Sequence, residues 1–183
     1  MNKLCTFLFL GIALSACAAN SSSKTNEENR QNQPVSAHGH LHGNALLPAN
    51  MTAAVNPKYA VGQRVVINEE HMPNSLGAKG VVKGAYRTNL IMVSFADKYG
   101  NVISNHKWVV QEELADKKIA RKGDKVKLSA AHLGGDMNAA AFVDDVLYQQ
   151  TAYVVDYLPT DGGAMVEDHM WYSEQELLPD NTK

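Results

Sequence analysis

The sequence predicts an all-β protein: two tandem small SH3-like barrels after a disordered N-terminal tether. Three observations carry this. The C-terminal two thirds repeat themselves. The apolar runs in each copy are short and β-branched. Residues 17–57, behind a short apolar leader, lack the apolar content of a core. The chain has 183 residues, 17 Lys+Arg, 19 Asp+Glu, 2 Cys and 7 His. A net charge of −2 with no long basic run excludes nucleic acid as a partner, because phosphate recognition needs a clustered basic face.

Residues 1–16 read as a lipoprotein signal peptide. Lys3 supplies the positive charge, and Thr6 to Leu14 form an apolar run shorter than the ~20 residues needed to span a bilayer. Leu14-Ser15-Ala16-Cys17 resembles the bacterial lipobox. That resemblance implies cleavage before Cys17 and diacylglyceryl attachment to its thiol. Each buried methylene contributes about 0.8 kcal/mol, and two chains are needed for stable anchoring. The expected location is therefore the extracytoplasmic face of a bacterial cell membrane. Cys5 leaves with the signal, so thiol redox chemistry and thiolate metal ligation are excluded for the mature chain.

Residues 17–57 read as a lipid-anchored linker. Ala18 to Pro34 contain no large apolar side chain, too little to offset the entropy of ordering. As a flexible coil of about forty residues, the linker reaches about 35 Å. Within it lies Ala37-His38-Gly39-His40-Leu41-His42-Gly43. Alternate side chains of an extended segment point the same way, so His38, His40 and His42 can converge on one ion. Imidazole suits copper, zinc and nickel, with Cu(II) favoured by affinity order. These are the main metal-ligand candidates, for bound copper or zinc. No cofactor is required.

Repeat domain 1 spans 58–116 and repeat domain 2 spans 119–180. Val61-Gly62-Gln63-Arg64-Val65-Val66-Ile67 to His71-Met72 matches Lys122-Gly123-Asp124-Lys125-Val126-Lys127-Leu128 to His132-Leu133 at an offset of 61 (132 − 71). Tyr86–Phe95 matches Tyr148–Tyr157 at 62, and Asn105–Leu114 matches Asp168–Leu177 at 63. Both tryptophans, Trp108 and Trp171, share one repeat position and are expected to anchor the core or its rim. The four remaining histidines share two positions, His71 with His132 and His106 with His169. Val65-Val66-Ile67, Gly80-Val81-Val82 and Leu90-Ile91-Met92-Val93 read as strands. Asp97–Asn101 and Pro159–Gly163 read as turns. One helical turn near Gln111–Leu114 is the only helical signal. Barrel closure would remove exposed edges.

Gly62, His71-Met72, Gly77-Ala78, Gly84-Ala85-Tyr86 and Asn105-His106-Lys107-Trp108-Val109-Val110-Gln111-Glu112-Glu113 together resemble the repeat of the YdhK family of bacterial lipoproteins. That family carries a tandem domain of unknown function behind a lipobox and a polar linker. The resemblance covers residues 58 to 179 and implies a link to copper resistance. The family's His-Met-x-x-Met pattern is incomplete here: copy one has Ser75-Leu76 where a second Met would fall, and copy two has Leu133 and recovers only Met137.

Two readings of the domain histidines follow. In one, His71, Met72 and His106 surround one copper ion, and His132, Met137 and His169 another, since thioether with imidazole selects Cu(I). In the other, preferred on sequence, the histidines are scaffold beside Trp. Glu112, Glu113 and Glu176 read as solvated charges. The expected function is a membrane-anchored lipoprotein that binds metal, copper in kind, for sequestration or resistance. The alternative is a surface-binding or adhesion module for a peptide or cell-wall polymer, with Tyr86, Tyr99, Trp108, Tyr148, Tyr157 and Trp171 lining a groove. No Ser-His-Asp order, HExxH motif or phosphate loop occurs, so an enzyme is not expected.

Overall fold

Apolar runs set the two long strands that organise the molecule. The computed structural model describes residues 46–130, 132–133 and 138–182. The expectations for Cys17, for His38, His40 and His42, and for Met137 lie outside the described residues. Eight strands follow in chain order: β1 (Thr52–Ala53), β2 (Arg64–Ile67), β3 (Lys79–Ala96), β4 (Val102–Val110), β5 (Lys125–Lys127), β6 (Ala140–Leu158), β7 (Val166–Tyr172) and β8 (Leu177–Pro179). The helical turn expected near Gln111 is a 3-10 turn over Gln111–Glu113, and a second lies at Glu174–Glu176.

β3 changes character along its length. Lys79 to Gly84 alternate exposed and buried, as in a sheet with one wet face. Leu90, Ile91 and Val93 are all fully buried, because both faces of the strand are covered there. Its turn into β4 is held by the Asp97 carboxylate, which accepts bonds from Tyr99 N, Asn101 N and Asn101 Nδ2, each 2.8 Å. Gly100 takes φ +86° there, open to glycine without steric cost.

The all-β class and the duplication hold; the organisation of the copies differs from two separate barrels. β3 of the first repeat pairs antiparallel with β6 of the second along most of its length, from Lys79↔Leu158 to Phe95↔Ala141. Thr88 faces Gln150, its own counterpart at the offset of 62. The pseudo-dyad relating the copies therefore passes through that pair. Each copy also lends its end to the other. β2 pairs with β8 of the second repeat (Ile67↔Leu177), and Leu114 bridges Leu128 in the reverse sense. The strand path β5-β6-β3-β2-β8 does not close on itself.

The cores follow this exchange. One joins Tyr59, Val65, Ile67, Val82 and Ala85 of copy one to Tyr153, Val155, Tyr157, Val166, Tyr172 and Leu177 of copy two. The other joins Ile91, Val93, Phe95, Val109 and Leu114 to Val126, Leu128, Ala130, Ala141 and Val143. A central cluster holds both tryptophans with Leu90, Val110, Ala152, Val154 and Met170. Each core is thus half of one repeat packed on half of the other, and all described residues fall in one compact unit.

Candidate functional site

The duplicated Asx-His-x-Trp segment builds two related polar clusters, one in each half. Asn105 and Asp168 adopt left-handed backbone, φ 54° and 49°, a conformation that Asn and Asp tolerate better than most residues. The register of β4 on β3 and of β7 on β6 shifts around the histidines that follow. His106 and His169 are thereby each 4% exposed.

The histidines pair across the repeats. His71 lies 6.0 Å from His169, ring centre to ring centre, and His106 lies 6.0 Å from His132. The expected groupings, His71 with His106 and His132 with His169, are replaced by crossed ones. His71 also stacks on Tyr172 at 4.6 Å, and His169 meets Tyr157 edge-on at 5.8 Å. His106 meets Phe95 in the same manner at 5.9 Å, Phe95 being the repeat counterpart of Tyr157. Trp108 and Trp171 are buried core anchors, as the repeat position suggests.

Two carboxylates complete the clusters, and here the sequence expectation is corrected. Glu113 and Glu176 are 1% and 5% exposed, not solvated. Glu176 accepts bonds from Trp108 Nε1 of the other repeat (2.8 Å), Ser173 N (2.7 Å) and Ser173 Oγ (2.8 Å), and its Oε1 lies 3.3 Å from His71 Nε2. Glu113 mirrors it, accepting from Trp171 Nε1 (3.1 Å) and Val110 N (3.0 Å) and facing His132 Nδ1 at 2.8 Å. Glu112 accepts from Thr88 Oγ1 at 2.6 Å. A buried carboxylate is tolerable because donors surround it. The signal for this was present: a Glu five residues after Trp in both copies.

Burial pushes the Glu176 carboxyl up, but His71, the Ser173 N–H and the Trp108 N–H outweigh it and hold the group at about 2. Burial pushes the Tyr157 phenol up to about 12, and raises Tyr172 above the ordinary phenol range, helped by Tyr157 and Glu176. Both phenols are therefore neutral, and Tyr172 is so beside an anionic Glu176. Lys107 Nζ approaches Glu176 Oε1 at 3.7 Å and Glu69 at 3.5 Å.

Among the described residues, no three His, Cys, Asp or Glu side chains are arranged to hold a metal ion. The six aromatics proposed for a groove separate. Trp108, Tyr157 and Trp171 are buried, Tyr86 is half-buried, and Tyr99 and Tyr148 are exposed.

The fold and clusters define a class: an all-β protein of two fused repeats, intertwined about a pseudo-dyad and locked by crossed His-Glu-Trp sets. Within that class, the chain belongs to the DUF1541 family, described as proteins of unknown function, whose model matches residues 61–111 and 122–174. It is 38% identical over 174 residues to YdhK of Bacillus subtilis (strain 168), itself described as uncharacterized. That match covers 93% of this chain and 84% of the relative. A crystal structure of the B. subtilis DUF1541 protein is similar with a TM-score of 0.71 at 40% identity, covering 74% of this chain and 94% of that one. A solution structure described as the YdhK C-terminal domain matches at 0.61 and 40% identity, covering 66% and 92%.

Proposed function

We propose that the protein is a membrane-anchored extracytoplasmic lipoprotein that binds a metal ion, copper by donor chemistry, for sequestration or resistance. The observation that carries this reading is the order of parts: a lipobox ending at Cys17, then His38-Gly39-His40-Leu41-His42, then a domain whose own histidines are engaged in inter-repeat contacts. That engagement leaves the tether cluster as the principal ligand set. Imidazoles at alternate positions suit Cu(II) and Zn(II). Five strands, in the order β7-β6-β3-β2-β8, surround the first core. This supports reading each half as a small SH3-like barrel assembled from both repeats. The burial of three of the six groove aromatics weighs against the adhesion reading, and binding rather than catalysis fits the absence of nucleophile or acid–base motifs in the sequence.

Calorimetric titration with Cu(I), Cu(II) and Zn(II), on the native chain and on the His38→Ala/His40→Ala/His42→Ala variant, tests the proposal. Cu(II) binding tighter than micromolar, lost in the variant, is expected. No binding to either form would defeat it. For the anchor, mass spectrometry should find lipid on Cys17, and a Cys17→Ala variant that stays in the membrane fraction would refute it.

A further inference from the structure

The cations of this chain are unevenly placed. Between Asp116 and Lys127 stand Lys117, Lys118, Arg121, Lys122, Lys125 and Lys127, six cations against two carboxylates, a local charge of +4. The other residues from 46 onward carry eight Lys or Arg against fifteen Asp or Glu, a balance of −7. No basic run exceeds two residues, yet the fold leaves all six of these residues exposed.

The fold does not need these charges. At the repeat offset of 61, Lys117, Lys118, Arg121, Lys122 and Lys127 correspond to Asn56, Pro57, Ala60, Val61 and Val66, and only Lys125 meets a cation, Arg64. In the first repeat, Lys58, Arg64, Lys83 and Lys107 each pair with a carboxylate. Among the described residues, none of the six does so.

The segment itself is held firmly. Ala120 is 1% exposed. Its N–H donates to Gln111 Oε1 (3.2 Å), and its O accepts from the Tyr148 hydroxyl (3.0 Å). Gln111 Nε2 donates to Lys118 O (2.7 Å), and the Arg121 N–H to Asp124 Oδ2 (3.0 Å). In β5, Lys125 and Lys127 flank the buried Val126 and stand opposite Phe142 and Ala140 of β6. Phe142 is 52% exposed, with Lys125 Nζ 5.1 Å from its ring centre, and Ile119 is 60% exposed. Cations therefore stand among uncovered apolar side chains on a backbone already in place, so little ordering opposes binding.

We infer that residues 117–127, with Phe142, form a docking surface for an anionic lipid bilayer. Clustered Lys and Arg are drawn to a negatively charged membrane. Ile119 and Phe142 add apolar contact at the headgroup boundary, which a dissolved polyanion would not use. The acidic remainder of the domain is repelled by the same surface, so one orientation is selected. The inference rests on the lipid anchor of the proposed function. A linker reach of about 35 Å keeps the domain beside the bilayer at high effective concentration.

The test uses the native chain, purified with its lipid and incorporated in vesicles of phosphatidylcholine alone or with about one third phosphatidylglycerol. Brief lysine acylation from the aqueous side is read residue by residue by mass spectrometry. Lys118, Lys122 and Lys127 should react roughly tenfold more slowly on the anionic vesicles, and high salt should restore their rates. Lys58 and Lys79 should react alike on both. In the Lys118→Gln/Arg121→Gln/Lys122→Gln/Lys127→Gln variant, Lys117 and Lys125 should lose their protection. Equal rates on the two vesicles, with the chain incorporated in both, would overturn the docking surface while sparing the proposed function. Protection by soluble inorganic polyphosphate but not by anionic vesicles would overturn it in favour of a dissolved polyanion. A chain that enters neither vesicle would defeat the anchor and this inference together.

Discussion

Replacing Glu176 by Gln isolates the electrostatic part of the crossed assembly. The carboxylate is nearly fully buried, accepts three hydrogen bonds and faces His71. In the fold its pKa falls from the ordinary 4.5 to about 2. That difference corresponds to about 3 kcal/mol of stability at neutral pH. A depressed folded pKa fixes the sign. The contribution is complete above about pH 4.5 and is lost as pH falls through about 2. Glu176→Gln lacks it at every pH. Urea unfolding of the two proteins should show a gap of about 3 kcal/mol at pH 7, narrowing below pH 4.5. Near pH 2 it should close to the small difference between an amide and a protonated carboxyl. A gap that stays constant over this range, or that is absent at pH 7, would refute the reasoning.

The remaining predictions follow from single contacts. Trp108→Phe removes a donor from Glu176, and Trp171→Phe one from Glu113. Each should cost about 1–3 kcal/mol, and Trp108→Phe with Glu176→Gln should be non-additive in a double-mutant cycle although the residues lie in different repeats. Additivity would mean that the bond does not form. At Gly80, a Cβ would sit 2.6 Å from Asp156 O and 2.7 Å from Val155 Cγ1, so Gly80→Ala should weaken the β3–β6 pairing by about 1–3 kcal/mol; an unchanged urea midpoint would contradict that register. Asn105→Val forces a β-branched residue to a φ of 54° and should cost about 1–3 kcal/mol. Asn105→Gly should be much milder, and equal effects would exclude the left-handed turn.

The β class, the repeat and the equivalence of the histidine positions were legible because they depend on local pattern and spacing. Alternation along Lys79–Gly84 marks which side chains face inward. It does not say whether the partner strand belongs to the same copy, since β3 would alternate identically against either. The exchange of halves is therefore invisible in the sequence, which groups His71 with His106, whereas His71 meets His169. The burial of Glu113 and Glu176 is hidden for a related reason. Each is buried only because a tryptophan N–H arrives from the other repeat, 68 residues away for Trp108–Glu176, and no sequence window contains both. In the sequence Tyr157 reads as a groove aromatic, and nothing singles out Tyr172. Their place beside His169 and His71 follows from the crossed packing alone.

The division of roles between tether and domain is tested most directly by adding equimolar Cu(II) to the isotope-labelled chain and recording which amide resonances its paramagnetism broadens. The expected result is loss of signal from His38 to His42 and their neighbours, with His106 and His132 unaffected in their buried cluster. Broadening centred on His106 and His132, with the tether signals intact, would contradict it.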